Sequence, residues 1–310
     1  MVELFKGIKV DWLGKRKLFF AISIGLLLIG MVSLVAKGRF HYGMDFKGGT
    51  LVRVRFNEVV DPAAIRALLP ANANVQAIKT ADANAGGSEF QVELEKTSEN
   101  EDASAGHDKV QQVLNSAFAG KFEMRGSESV SAKVGGDLRR QAVMATLYAL
   151  VGILVYIAFR FEWIYGAAAV FAVFHDTLVT LGFFSLFNYE INLTVIAALL
   201  TLVGYSVNDT IVVFDRVREN LKTRRRDDLE VVLNDSINQT LSRTILTSGL
   251  TFLTVLALFL FGGDIINNFA FAMVIGIIVG TYSSVAVAAP LVLVYTKWHQ
   301  KGAKAATNRR

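Results

Sequence analysis

The sequence predicts a polytopic α-helical membrane protein with six transmembrane helices, arranged one plus five, and an α+β ferredoxin-like extracytoplasmic domain between helices 1 and 2. Hydrophobic residues make up 53% of the 310-residue chain, which has only three prolines, and mean hydropathy is +0.42. That is too apolar for a water-soluble domain. Six stretches reach the roughly 20 apolar residues that a hydrocarbon core requires: residues 18–36, 142–159, 164–187, 191–214, 244–261 and 269–295. A long polar segment, residues 37–140, separates the first from the other five.

The first stretch follows Lys15-Arg16-Lys17, as a secretory signal would. Its apolar run exceeds the usual signal length and no small-x-small cleavage site follows, so it reads as an uncleaved first helix. With the amino terminus inside, five Lys/Arg precede that span, one lies at Arg160, seven run from Arg216 to Arg243 and five follow from Lys297. The short turns on the opposite side hold none and carry Glu190 and Asp264 instead. Short-loop Lys/Arg bias sets orientation, whereas long domains translocate regardless of charge. Residues 1–17 and 297–310 are therefore expected in the cytoplasm, 37–140 outside, and 141–296 as a five-helix bundle with a cytoplasmic loop at 215–243.

Within 37–140 the pattern changes to short alternating runs. Residues 51–56 and 90–95 alternate with period two, Asp61-Pro62 opens a short helix to Leu69, and 75–79 reads as a strand. A helix over 108–118 and a strand over 122–128 complete a β-α-β-β-α-β order, the split ferredoxin-like motif. Loops 81–88 and 97–106, rich in Ala, Asn, Gly, Ser and acids, read as solvated connections. His107 has no convergent partners for a metal site. The chain has no cysteine, which excludes disulfides and thiolate metal ligands. Linking the first span to this module is a segment with Asp45, Gly48 and Gly49. The paired glycines suit a tight turn or close backbone approach, and Asp45 a turn cap. Gly135 and Gly136 are the flexible residues on the return into the second span.

Ionisable residues inside spans are costly and mark functional sites. On the fourth span Tyr205, Ser206, Asp209 and Arg216 share one helical stripe, with Asn208 beside it. Asp209 lies on the order of 7 Å inside the cytoplasmic end at about 1.5 Å per residue. On the fifth span Arg243, Thr247, Thr251 and Thr254 share a face expected to meet protein or water and not lipid, with Thr244 and Ser248 flanking it. Asp209 and Arg243 occupy the same leaflet and are expected to meet. Burial disfavours a charged carboxylate and a nearby guanidinium favours it, so closing and opening this pair makes a proton switch. A static pair, or an arginine that reaches only to the interface, is the other reading.

The third span contributes His175 and Asp176, near mid-membrane. A histidine beside an acid fits a proton relay, although adjacent residues point about 100° apart on a helix and are not expected to face one cavity squarely; structural hydrogen bonding between helices is the alternative. Gly276 and Gly280 on the last span form a small-xxx-small surface for helix packing. In the loop after Arg216, Leu229, Leu233, Ile237 and Leu241 recur at spacings of four, as in an amphipathic helix lying on the membrane surface. The basic residues sit at topological tethers, which disfavours a nucleic-acid partner despite a pI near 9.3.

Several strings taken in order are similar to the SecD/SecF family of the resistance-nodulation-division superfamily: residues 42–50 (Tyr-Gly-Met-Asp-Phe-Lys-Gly-Gly-Thr), 159–163 (Phe-Arg-Phe-Glu-Trp), His175-Asp176, 204–209 (Gly-Tyr-Ser-Val-Asn-Asp), 215–220 (Asp-Arg-Val-Arg-Glu-Asn) and 243–248 (Arg-Thr-Ile-Leu-Thr-Ser). The resemblance covers nearly the whole chain. It implies a bacterial inner-membrane subunit of preprotein export that uses protons as coupling ion, with no cofactor and no enzymatic reaction. The partners it implies are SecD, the SecY/SecE/SecG translocon, YajC, YidC, the translocating preprotein and the lipid bilayer. Where the family enters its second span with Val-Gly-Pro-x-Val-Gly, this chain reads Val-Ser-Ala-Lys-Val-Gly at 130–135, so the family's hinge angle does not carry over. Two rivals stand beside this reading. An exporter half of the same superfamily, or a structural partner stabilising SecD, would share the topology. An intramembrane aspartyl protease would need Asp176 and Asp209 close together, and their estimated depths differ.

Overall fold

A computed structural model describes residues 9–70, 73–78, 87–95, 105–160 and 163–307. The expected loops 81–88 and 97–106 fall largely outside these residues, as do Phe161 and Glu162. Among the described residues six helices are long and apolar enough to span a membrane. They are α1 (Arg16–Lys37), α5 (Ala132–Arg160), α6 (Trp163–Phe187), α7 (Leu193–Thr223), α8 (Leu229–Phe261) and a final rod built from α9 (Asp264–Ser283), a π-helical turn (Ser284–Ala288) and α10 (Ala289–Thr307).

The α+β module follows α1 through a one-turn helix, α2 (Met44–Lys47). It runs β1 (Gly49–Phe56), α3 (Pro62–Leu68), β2 (Ala73–Ile78), β3 (Ser88–Glu95), α4 (Ala105–Phe118) and β4 (Phe122–Val130). The sheet order is β2-β3-β1-β4 and every pairing is antiparallel, the arrangement that a β-α-β-β-α-β chain gives when each helix crosses over one face. Alternation explains the core. In β1, Val52, Val54 and Phe56 point inward, and they meet Phe90 and Val92 of β3, Ile65 of α3 and Val110 and Leu114 of α4, all at 1% exposure or less. Asp61 caps α3 by accepting from the Ala63 amide at 2.9 Å, with Pro62 at the first helical position, where its missing N–H costs nothing.

Small residues decide how the spans pack. A Cβ on Gly30 would lie 2.7 Å from the Gly182 Cα, so α1 and α6 cross backbone to backbone. A Cβ on Gly276 would sit 2.4 Å from the Leu202 side chain, and one on Gly280 3.1 Å from Ser206 Cβ. The seam of α9 is thus spent on α7 inside this chain. Gly135 lies within α5, where a Cβ would be 3.0 Å from the Phe46 carbonyl, while Gly136 has open space. Gly135 serves close approach of α5 to α2, and the return into the membrane is helical from Ala132 onward.

One expectation is overturned. Residues 215–243 do not form a loop with a helix lying flat on the membrane surface. α7 runs on to Thr223 and α8 starts at Leu229, so the two spans extend as a hairpin joined by only a short turn. The apolar face of Leu233 and Ile237 is fully buried against Leu13, Val213 and Val217. A spacing of four shows that a helix has an apolar face and says nothing about whether lipid or protein covers it. Here the chain's own start covers it. Asn234 Oδ1 accepts from the Trp12 amide at 2.8 Å and Asn238 Oδ1 from the Val10 amide at 3.1 Å, while both asparagine Nδ2 groups donate to the Val10 carbonyl. Glu230 then joins Arg16 of α1, at 2.6 Å, and Lys297 of α10.

Candidate functional site

Three helices meet around Asp176. It is 1% exposed and its Oδ2 accepts from Ser206 Oγ of α7 at 2.6 Å and from Ser283 Oγ of α9 at 2.7 Å. His175 Nδ1 lies 2.9 Å from Asp176 Oδ1, and the histidine is itself 3% exposed. The two neighbours therefore share one polar centre. Their Cα–Cβ vectors diverge, but an imidazole and a carboxylate are long enough to curve back into contact. His175 Nε2 has no hydrogen-bond partner among the described residues. Ser283 is the last residue before the π-helical turn, a kind of irregularity that tends to occur at functional sites, and all five residues of that turn are buried. Ser283 was not singled out in the sequence; the Ser283-Ser284 pair inside an apolar run was the available signal.

Asp209 sits one helical turn further along α7, 2% exposed, and its Oδ2 accepts from Ser248 Oγ of α8 at 2.7 Å. Arg243 makes no ion pair with it within 4.0 Å among the described residues; it is exposed, but near enough for its charge still to act on the carboxylate. The nearest partner of the acid is thus a hydroxyl that the sequence placed only at the flank of the α8 stripe. Arg216, lower on the same stripe of α7, is held by Gln239 and Glu219, each at 2.6 Å. Asp176 of α6 and Asp209 of α7 have separate hydroxyl partners, Ser206 and Ser283 for the first and Ser248 for the second.

The inside and outside faces of α8 are the reverse of what a buried ladder would give. Thr244 and Ser248 point into the bundle. Arg243, Thr247 and Thr254 lie exposed, with Thr251 half-buried, and the three threonines donate to carbonyls four residues back. Within residues 195–214 of α7 the exposed positions are Ala197, Thr201, Gly204 and Asn208, at spacings of four, three and four along one face. Among the described residues no atom lies within 4 Å of where a Cβ on Gly204 would stand. Both stripes lie on the outside of the bundle, and on α8 the exposed Leu246, Leu250 and Leu253 interleave with the threonines.

A second junction ties the bundle to the α+β module. Tyr42 bridges to Ile191 in the α6–α7 turn, with Gly43 N to Ile191 O at 2.9 Å and Ile191 N to His41 O at 2.7 Å. Asp45 Oδ2 accepts from the Leu193 amide at 2.9 Å, the first residue of α7, where a carboxylate complements the helix dipole. Gly48 takes φ 78°, open to glycine at no steric cost. A Cβ on Gly49 would strike the Leu94 carbonyl oxygen at 2.5 Å. Glu190 stands in this junction, 3.6 Å from His41 Nε2 and 3.4 Å from Asn74 Nδ2. Burial, with help from Glu93 and Glu95 against the opposing Lys47, pushes its carboxyl up to about 7. No group of three His, Cys, Asp or Glu among the described residues could hold a metal ion.

Known proteins fit this geometry. The profile described as "Protein export membrane protein SecD/SecF, C-terminal" matches residues 109–298, and the "SecD/SecF GG Motif" matches 32–58, around the Gly48-Gly49 turn. The chain belongs to the SecD/SecF family. Its full-length likeness is to the SecF side. "Protein translocase subunit SecF" of Calditerrivibrio nitroreducens is 44% identical over 94% of this chain and 96% of that protein. The protein of the same description from Koribacter versatilis is 40% identical over 96% and 94%. Among solved structures, SecDF from Thermus, described as a translocon-associated membrane protein, superposes with a TM-score of 0.80 at 37% identity, covering 94% of this chain and 39% of that one. SecDF in a super-membrane-facing form gives 0.71 at 38% identity, over 97% and 40%. The chain spans about two-fifths of the SecDF chains it matches. In this family it is a polytopic membrane protein carrying a sheet module, with the relatives named as transport subunits.

Proposed function

We propose that the chain is the SecF half of a SecD–SecF pair in a bacterial inner membrane, with both termini cytoplasmic and the α+β module outside. Proton movement through the shared bundle drives that module to draw preproteins out of the SecY/SecE/SecG channel. The observation that carries this reading is the pair of stripes left on the outside of the bundle. The stripes of Ala197, Thr201, Gly204 and Asn208 on α7 and of Arg243, Thr247, Thr251 and Thr254 on α8 supply small and polar groups suited to a close-packed, hydrogen-bonding partner helix. The rest of a SecDF-like chain, which this chain spans to only about two-fifths, supplies the kind of partner that fits.

Behind those stripes lies Asp209, in contact with Ser248. In the proposed cycle, approach of Arg243 favours the ionised carboxylate and expels a proton, and withdrawal lets the acid take one up. Asp176 and His175 form a second polar station on α6, holding α6, α7 and α9 in register through Ser206, one turn from Asp209 on α7, and Ser283. Asn208, Thr247 and Thr251 lie at the partner seam. Motion reaches the module through the Tyr42–Ile191 bridge and the Asp45 cap on α7. Each elementary charge crossing about 100 mV is worth roughly 2.3 kcal/mol, enough to bias a two-state module but not to reverse a strongly skewed one, so several cycles serve each substrate.

The test is Asp209→Asn in cells and in inverted vesicles. The variant should still co-purify with SecD and lose the dependence of secretion on the proton gradient. Secretion kinetics equal to those of the native chain would overturn the proton switch.

A further inference from the structure

An apolar groove of about 330 Å³ opens on the flank of the bundle between α5 and the α6–α7 pair. Its walls include Val143, Leu147 and Leu150 of α5 and Phe174 and Leu178 of α6, with Phe40 and Tyr42 closing the end next to the α+β module. Val143, Leu147 and Phe174 are 49–55% exposed. One charged residue lines the groove, Arg139, at the same end. It is exposed, its guanidinium carbon lies 4.8 Å from the centre of the Tyr42 ring, and among the described residues no carboxylate pairs with it.

From Arg139 to Leu150 is eleven residues, about 16 Å along the helix at 1.5 Å each. Half of a hydrocarbon core about 30 Å thick is about 15 Å. The groove therefore spans one leaflet and ends on a cation where that leaflet's headgroups lie. We infer that it is a binding site for a glycerophospholipid of the leaflet nearer the α+β module, one acyl chain between α5 and α6 and the phosphate on Arg139. A planar guanidinium held by an aromatic face is suited to phosphate, which it can bind through two parallel N–H groups. A second apolar helix would fill the walls equally well but would leave that charge without a counter-ion at the membrane surface. Because α5 also packs on α2 through Gly135, a lipid wedged there sits against the connector to the module. This inference stands apart from the proton-driven reading.

The test is native mass spectrometry of the full chain released from mild detergent micelles doped with 1-palmitoyl-2-oleoyl-phosphatidylglycerol. The native chain should retain one lipid. Arg139→Gln should weaken retention about tenfold, the loss of roughly 1.4 kcal/mol, Arg139→Lys should keep most of it, and Arg140→Gln, on the neighbouring position outside the groove, should leave it unchanged. Thr146→Trp, which fills the groove, should abolish it. If that variant fails to fold, the three arginine variants, checked by circular dichroism, decide alone. Equal retention in Arg139→Gln, or equal loss in Arg140→Gln, would overturn the site. So would a photo-crosslinker at Leu147 that captures a protein in native membranes and no lipid.

Discussion

Replacing Glu190 with glutamine should remove most of the pH sensitivity of the joint between the α+β module and the bundle. Glu190 is 16% exposed at its side chain and faces Glu93 and Glu95 of β3, Lys47 of α2 and His41 of the connector. Burial foremost, then Glu93, raises its carboxyl from an ordinary 4.5 to about 7. At about 1.4 kcal/mol per pH unit this is on the order of 3 kcal/mol between protonated and ionised forms. The docked joint binds the proton more tightly than the separated one, so its advantage is full below about pH 4.5 and is lost as pH rises to about 7. Hydrogen exchange at residues 41–48 and 188–192, corrected for intrinsic rates, reads this directly. The native chain should lose about tenfold to a hundredfold in protection between pH 5 and 7.5, the range allowing for residual solvent access. Glu190→Gln should stay protected and flat across that range. An unchanged pH slope in the variant would show that other groups set the joint's response and that the buried carboxyl is incidental.

The packing and the polar centre yield further expectations. Gly182→Leu should part α1 from α6, because even the Cβ would lie 2.9 Å from the Gly30 Cα; overpacking of this kind costs about 1–3 kcal/mol and should lower the thermal unfolding midpoint in detergent, while Gly136→Ala, in open space, should not. Ser283→Ala should leave Asp176 Oδ2 with Ser206 alone, a loss of about 1–3 kcal/mol for an under-satisfied buried acid. Ser284→Ala, whose hydroxyl donates to the Thr281 carbonyl and not to Asp176, should cost clearly less in the same melt.

Much of the architecture was legible because the bilayer imposes it. An apolar run of about 20 residues has few folded options, so six spans and a polar module between the first and second followed from hydropathy, and period-two runs at 51–56 and 90–95 located the two central strands. The four-residue spacing of Leu229, Leu233, Ile237 and Leu241 was also a true helix signal. Its surroundings were not legible, since Leu13 comes from the other end of the chain and Val217 from the neighbouring helix, whose facing angle the spacing does not give. Asp209 and Asp176 stood out as acids in apolar spans. Their partners did not: Ser283 reaches Asp176 across 107 residues of sequence, and Ser248 was visible only as the flank of a threonine stripe. Helical periodicity gives relative angles within one helix, not which angle faces the neighbour.

Composition and periodicity by themselves determined that this chain crosses a membrane six times, carries a split α+β module and places carboxylates where lipid cannot tolerate them. These follow from local transfer free energies, which each segment carries with it. Only the tertiary structure decided that Asp209 rests on Ser248 with Arg243 exposed and beyond ion-pair distance, that His175 and Asp176 join Ser206 and Ser283, and that Glu190 lies in a half-closed joint. Those depend on rotation and contact between distant helices, set by the fit of glycines such as Gly30 to Gly182 and Gly280 to Ser206, which no single segment encodes.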